Sequence, residues 1–166
     1  MSTEPVTRRG FGAKFAALLS GVGIAGMFRP AEASMSKSAV KKLDYEGKPL
    51  EGKQMITPLI LHNNLIYIAG QGAHSHNPGD FPMDIETHTA KVMDSVKQLV
   101  EAGGGTMDSI LQLTVYLTNI DNYDGCNKVF KTYFPNGGPA RTCVAVAALP
   151  GQSLVEVNCI AAITRK

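Results

Sequence analysis

The sequence predicts an α+β domain in which a single mixed β-sheet carries two helices on one of its faces. Three observations carry that expectation. Val92, Met93, Val96, Leu99 and Val100 recur at helical spacing and form one apolar stripe. Residues 110–117 alternate, with Leu111, Leu113, Val115 and Leu117 on one side and Gln112, Thr114 and Tyr116 on the other, which is the period of a strand. The order around them reads strands, helix, strand, helix, two strands, which suits helices segregated to one side of a sheet.

The 166 residues suit one domain, and the first 33 are read apart from it. Thr7-Arg8-Arg9-Gly10-Phe11-Gly12-Ala13-Lys14 has the form of a twin-arginine export signal. A weakly apolar, glycine-containing run from Phe15 to Met27 follows, then Ala31-Glu32-Ala33, a small-x-small cleavage site. The expectation is a cleaved signal peptide over residues 1–33 and a mature chain that is periplasmic or exported. The apolar run is too short and too rich in glycine to span a bilayer comfortably. No membrane contact is expected of the mature form.

Charge narrows the function classes. Of 16 Lys and Arg and 14 Asp and Glu, the residues Arg8, Arg9, Lys14, Arg29, Glu4 and Glu32 precede position 34, which leaves 12 of each sign. A balanced domain without a basic run lacks the electrostatic footprint of a nucleic-acid binder. Cys126, Cys143 and Cys159 form no Cys-x-x-Cys or Cys/His cluster, so no zinc site is expected, and each is read as a free, buried, small apolar residue.

Residues 34–53 are polar and read as a flexible lead into an edge strand, and residues 54–166 as the folded domain. Gln54 to Leu61 is the first expected strand, with Pro58 arguing for an edge position. Asn63-Asn64 suits a tight turn before a strand over Leu65 to Ala69. Gly70 to Pro82 reads as a loop, and His74 and His76 as exposed loop histidines rather than half of a metal site. Asp84 is placed to cap the first helix, Glu86 to sit in its first turn and Gly103 to stop it. Asp121 is placed to cap the second helix, which buries Cys126, Val129, Phe130 and Phe134 and ends before Pro135.

Two strands, Thr142 to Leu149 and Leu154 to Thr164, close the chain. Thr142 to Leu149 is apolar at odd and even positions alike, the pattern of a strand covered on both faces. Two helices suffice for one face, so another copy of the chain is the expected cover for the other.

Function is sought between Pro139 and Glu156. Arg141 and Glu156 are the only full charges between Lys131 and Arg165. A charge inside such an apolar run is unfavourable to bury unless it is paired or used. Pro139-Ala140-Arg141-x-Cys143, Leu149-Pro150-Gly151 and Leu154-Val155-Glu156 resemble the C-terminal signature of the Rid (YjgF) family of reactive-intermediate deaminases. Tyr67-Ile68-Ala69-Gly70-Gln71 resembles the family's strand ending in Ser-Gly-Gln, and Asn127-Lys128-Val129-Phe130 with Tyr133-Phe134 resembles its second-helix motif.

The resemblance implies a chorismate-mutase-like fold and a homotrimer with sites in the clefts between subunits. It implies cofactor-independent hydrolysis of 2-imino acids and enamines, of the 2-iminobutanoate and 2-iminopropanoate type, to 2-keto acids and ammonia. By position, Arg141 would hold the substrate carboxylate through two parallel hydrogen bonds, as a planar guanidinium can. Glu156 would steer water onto the C=N carbon, assistance typically worth ~10²–10⁴-fold. Cys143, Asn127, Ala69 and Gly70 would complete the pocket, with no metal. The chain departs from the family pattern at Ala69, where the motif has serine, and at Ile56, where ungapped reading places a tyrosine. Those departures favour an alternative, a non-catalytic small-carboxylate-binding or chaperone-like trimer. An endoribonuclease, the activity first described for the family, fits the charge balance least.

Overall fold

A computed structural model describes residues 39–74 and 82–164. The twin-arginine segment, the Ala31-Glu32-Ala33 site and His76 lie outside the described residues. Among the described residues six strands make one sheet: β1 (Lys41–Leu43), β2 (Leu59–His62), β3 (Leu65–Gly72), β4 (Ile110–Leu117), β5 (Ala140–Ala145) and β6 (Val155–Ala162), in the spatial order β1-β2-β3-β6-β4-β5. All neighbours are antiparallel except β4 and β5, which run parallel. Helix α1 (Ile85–Ala102) lies on β3 and β6, and α2 (Tyr123–Tyr133) packs on α1. The α+β architecture expected from the sequence is the one the chain adopts.

The apolar periodicity becomes the core. Val92, Met93, Val96, Leu99 and Val100 of α1 are fully buried, each burial stabilising by about 1.5–3 kcal/mol. They meet the alternate residues Val155, Val157, Cys159 and Ala161 of β6 and Ile66 and Ile68 of β3, all buried. Asp84 caps α1 by accepting from the Thr87 amide at 2.8 Å, and Gly103 ends it with its N–H on Leu99 O at 2.9 Å. A side chain at Gly103 would meet Ile66 Cγ2 at 2.8 Å, so glycine there lets the helix end approach β3. Asn63 turns the β2–β3 hairpin in the left-handed region, at φ 54°.

Several boundaries differ from the sequence reading, each for a physical reason. β1 falls inside the polar stretch 34–53 and pairs with β2, so β2 is an inner strand. Pro58 accordingly precedes that strand, where its missing N–H breaks no ladder bond of β2, and its carbonyl accepts from Ala69 N–H at 3.0 Å. β3 continues through Gly72 instead of ending at Ala69. Leu111 is 52 % exposed, because a register shift between Ile110 and Gln112 inserts it as a bulge and turns it off the core side.

Asp121 does not cap α2: it lies in a 3₁₀ turn over Ile120–Asn122, where the Asn119 side chain accepts from its N–H at 3.0 Å. α2 starts from Asn122 without a side-chain cap. Cys126 and Phe130 on α2 and Phe134 just beyond it are buried, while Val129 is half-buried. β5 ends at Ala145 and is an edge strand with Ala140, Thr142 and Val144 exposed. Among the described residues its second face is therefore uncovered.

Candidate functional site

Strand parity decides where the candidate residues point. Arg141 and Cys143 on β5 pair with Leu113 and Val115 of β4, both fully buried, and so share the helix-covered face. Glu156 on β6 pairs with Tyr116 of β4 and alternates with the buried Val155 and Val157, which puts it on the face without helices. Arg141 and Glu156 thus stand on opposite faces of the sheet, two strands apart, a separation of roughly 10 Å across the ladder. A single chain does not bring them to one small molecule.

The first half of the site is a guanidinium set against two aromatic rings. Arg141 Cζ lies 4.7 Å from the ring centroid of Phe130 and 5.6 Å from that of Tyr123. Arg141 Nη2 donates to the Tyr123 hydroxyl at 3.3 Å. Tyr123 and Phe130 are seven residues apart on α2, hence on one helix face, and that face looks at the β5 edge. Among the described residues no carboxylate lies within ion-pair distance of Arg141, the one salt bridge being Lys128 to Glu86 at 2.8 Å. Most of its five donors therefore remain for a ligand.

Two cysteines lie near Arg141. Cys126 is buried on α2 and Cys143 is half-buried on β5. Burial pushes the Cys126 thiol up, with a bond from Thr89 and the charge of Arg141 working the other way. Burial also pushes Cys143 up, and Arg141 opposes it. Neither is an activated thiolate, which fits a lining role. Asn127 follows Cys126 on α2 and is half-buried.

The second half surrounds Glu156. A Cβ at Gly70 would stand 2.9 Å from Glu156 Cδ and closer still to its Oε1, so the carboxyl group lies directly on the glycine. Ala69 precedes it, half-buried, and offers no hydroxyl. The β3–β6 ladder shifts register between Ile68 and Gln71, so Ala69 and Gly70 form a bulge. Ile56 is 66 % exposed in the segment before β2.

The structure therefore brings Arg141, Cys143 and Asn127 to one edge, and Ala69, Gly70 and Glu156 to the other face. Sequence reasoning took Phe130 as core only and passed over Tyr123. Their seven-residue spacing, with an arginine due nearby, is the signal that could have linked them. Among the described residues no cluster of three His, Cys, Asp or Glu side chains is arranged to hold a metal.

Comparison with known proteins agrees with this frame. Residues 54–163 match the family model described as Endoribonuclease L-PSP. A RutC family protein of Pyrococcus horikoshii is 33 % identical over 99 residues, 59 % of this chain and 79 % of that protein. The crystal structure of the Rid-family protein YyfA of Yersinia pestis superposes with a TM-score of 0.65 at 31 % identity, covering 75 % of this chain and 100 % of that one. The yeast protein YEO7 gives 0.67 at 28 % identity, covering 76 % and 100 %. With its fold, its motifs and two-thirds of its length in agreement, the chain belongs to the Endoribonuclease L-PSP family, which includes the Rid proteins.

Proposed function

We propose that this protein is a cofactor-independent imine and enamine deaminase that converts 2-imino acids to 2-keto acids and ammonia. The observation that carries the reading is the Arg141 guanidinium. It is oriented by the rings of Phe130 and Tyr123 and by the Tyr123 hydroxyl, and left without a carboxylate partner among the described residues. Such a group is built to accept a small acid in bidentate fashion. Glu156, on the opposite face, is the acceptor that would direct water onto the C=N carbon. Water adds to that carbon, the imine nitrogen takes a proton, and the carbinolamine expels ammonia to leave the ketone. Glu156 passes the protons between water oxygen and departing nitrogen.

Because the two groups sit on opposite faces, the working site joins the Arg141 edge of one copy to the Glu156 face of another. That arrangement also covers the exposed residues of β5. A homotrimer is the assembly we favour, and the signal-like residues 1–33 suggest that it works after twin-arginine export to the periplasm.

Ala69 and Ile56 support a second reading, a non-catalytic trimer that binds small carboxylates. Ammonia release from a panel of freshly generated imino acids, with wild-type and R141A protein, separates the two. Accelerated release abolished by R141A supports the deaminase. Carboxylate binding without acceleration across the panel selects the binding protein.

A further inference from the structure

We propose that Gln71 is a positioning residue for the water-directing half of the site, acting through the bulge that carries Gly70. This rests on the reading of Glu156 given above. The geometry points there directly. Gln71 is 6 % exposed on the helix side of β3, opposite Val157. Its side-chain Nε2 donates back to Ala69 O at 3.0 Å and to Gly70 O at 3.2 Å, the carbonyls of the two bulged residues. Its Oε1 accepts from the Tyr45 hydroxyl at 3.4 Å, and the Tyr45 backbone carbonyl accepts from Gln98 Nε2 on α1 at 3.3 Å. One buried amide thus ties the bulge to the helix layer.

The consequence is felt on the other face. A bulge is a local excess of backbone that the ladder alone does not pin. Gly70 lies beneath the Glu156 carboxyl with no room for even a methyl group between them. Any movement of the bulge therefore moves the surface on which that carboxyl rests. Gln71 touches neither substrate nor reacting atoms. It fixes the direction of the acid that would direct water, and it does not bear on Arg141, which stands two strands away on the other face.

The test uses the full chain with two variants. Q71M keeps the buried volume and removes the amide, and Y45F removes only the hydroxyl that donates to Gln71 Oε1, at a residue 44 % exposed. Three quantities are read: hydrogen exchange of the Gly70–Gly72 amides, the ¹³C resonance of the Glu156 carboxyl at fixed pH, and kcat and KM for imine hydrolysis. The expected result for Q71M is faster exchange, a displaced carboxyl resonance, and kcat lower by about tenfold or more with KM changed less than about twofold. Y45F should shift all three in the same direction by less. A folded Q71M with unchanged exchange and carboxyl resonance overturns the proposal. If Q71M fails to fold, an unchanged Y45F does so. Absence of hydrolysis in wild type would sink the deaminase reading alone, because exchange and resonance still report whether Gln71 sets Glu156.

Discussion

The carboxyl group of Glu156 rests on the α-carbon of Gly70, across the β3–β6 ladder and on the face of the sheet that the helices leave open. Glycine is needed there for space, since a Cβ would come within 2.9 Å of Glu156 Cδ. G70A should push the carboxyl aside while leaving the core untouched. Displacing a reacting group by about 1 Å can lower turnover ~10²-fold. The expected outcome is a loss of kcat with a melting temperature close to wild type, measured by ammonia release and circular dichroism. Wild-type kcat in a folded G70A would show that the carboxyl position is immaterial to the chemistry.

Arg141 is distinguished from any other cation by its position over the Phe130 ring, 4.7 Å from the centroid, and its bond to Tyr123. R141K keeps the charge and loses both the planar fork and the stacking. It should bind carboxylates weakly, with KM raised by about tenfold or more and the melting temperature little changed, because the guanidinium is at the sheet edge. Steady-state kinetics over a concentration series checks this. A lysine variant with wild-type KM would mean that charge alone suffices.

The cysteines give a chemical probe of the same region. Burial pushes Cys159 up to about 12, and it is 3 % exposed under the helices. Cys126 is also raised by burial and is 2 % exposed, whereas Cys143 is half-buried at the β5 edge. Alkylation follows thiolate fraction and access, so iodoacetamide at about pH 8 should modify Cys143 first and Cys159 last. Peptide mass spectrometry over a time course reads the order. A keto acid bound to the Arg141 guanidinium should slow the Cys143 step.

Much of this fold was legible because it rests on local periods. The α1 stripe from Val92 to Val100 and the Asn63 turn needed no knowledge of partners. Leu111 and the Ala69–Gly70 bulge were not legible, since a bulge exists only relative to the neighbouring strand. The same limit hid the most consequential feature of the site. That Arg141 and Cys143 share a face follows from their two-residue spacing. Whether Glu156 shares it depends on register across β4, which no local pattern encodes.

His88 predicts how stability responds to acid. It sits in the first turn of α1, 1 % exposed, and its Nδ1 accepts from the Leu154 N–H at 3.1 Å, two residues before Glu156. Burial holds the imidazole below its ordinary value of 6.5, Lys91 adds to the depression and Asp84 opposes it. Below that value the unfolded chain binds a proton that the folded chain resists. Stability is thus full above about pH 6.5 and is lost as pH falls through the depressed value. H88N retains an acceptor for Leu154 and does not titrate. Its melting temperature should therefore fall less steeply than wild type between about pH 7 and 5. An identical slope in the two proteins would assign the acid sensitivity elsewhere.

The division of the site between two faces makes a prediction about assemblies that no single-variant experiment can reach. R141A retains Glu156, and E156Q retains Arg141. In a closed ring where each site takes one residue from each of two neighbours, mixing the variants after dissociation restores some sites in full. With equal amounts and random assembly, about a quarter of the sites are complete, so activity should return to about a quarter of wild type from two inactive parents. Sites that drew both residues from one copy would stay inactive at every mixing ratio. Ammonia release measured against the fraction of E156Q should therefore rise and fall, peaking at equal parts. A flat line at the level of the parents would mean that the Arg141 edge and the Glu156 face never meet.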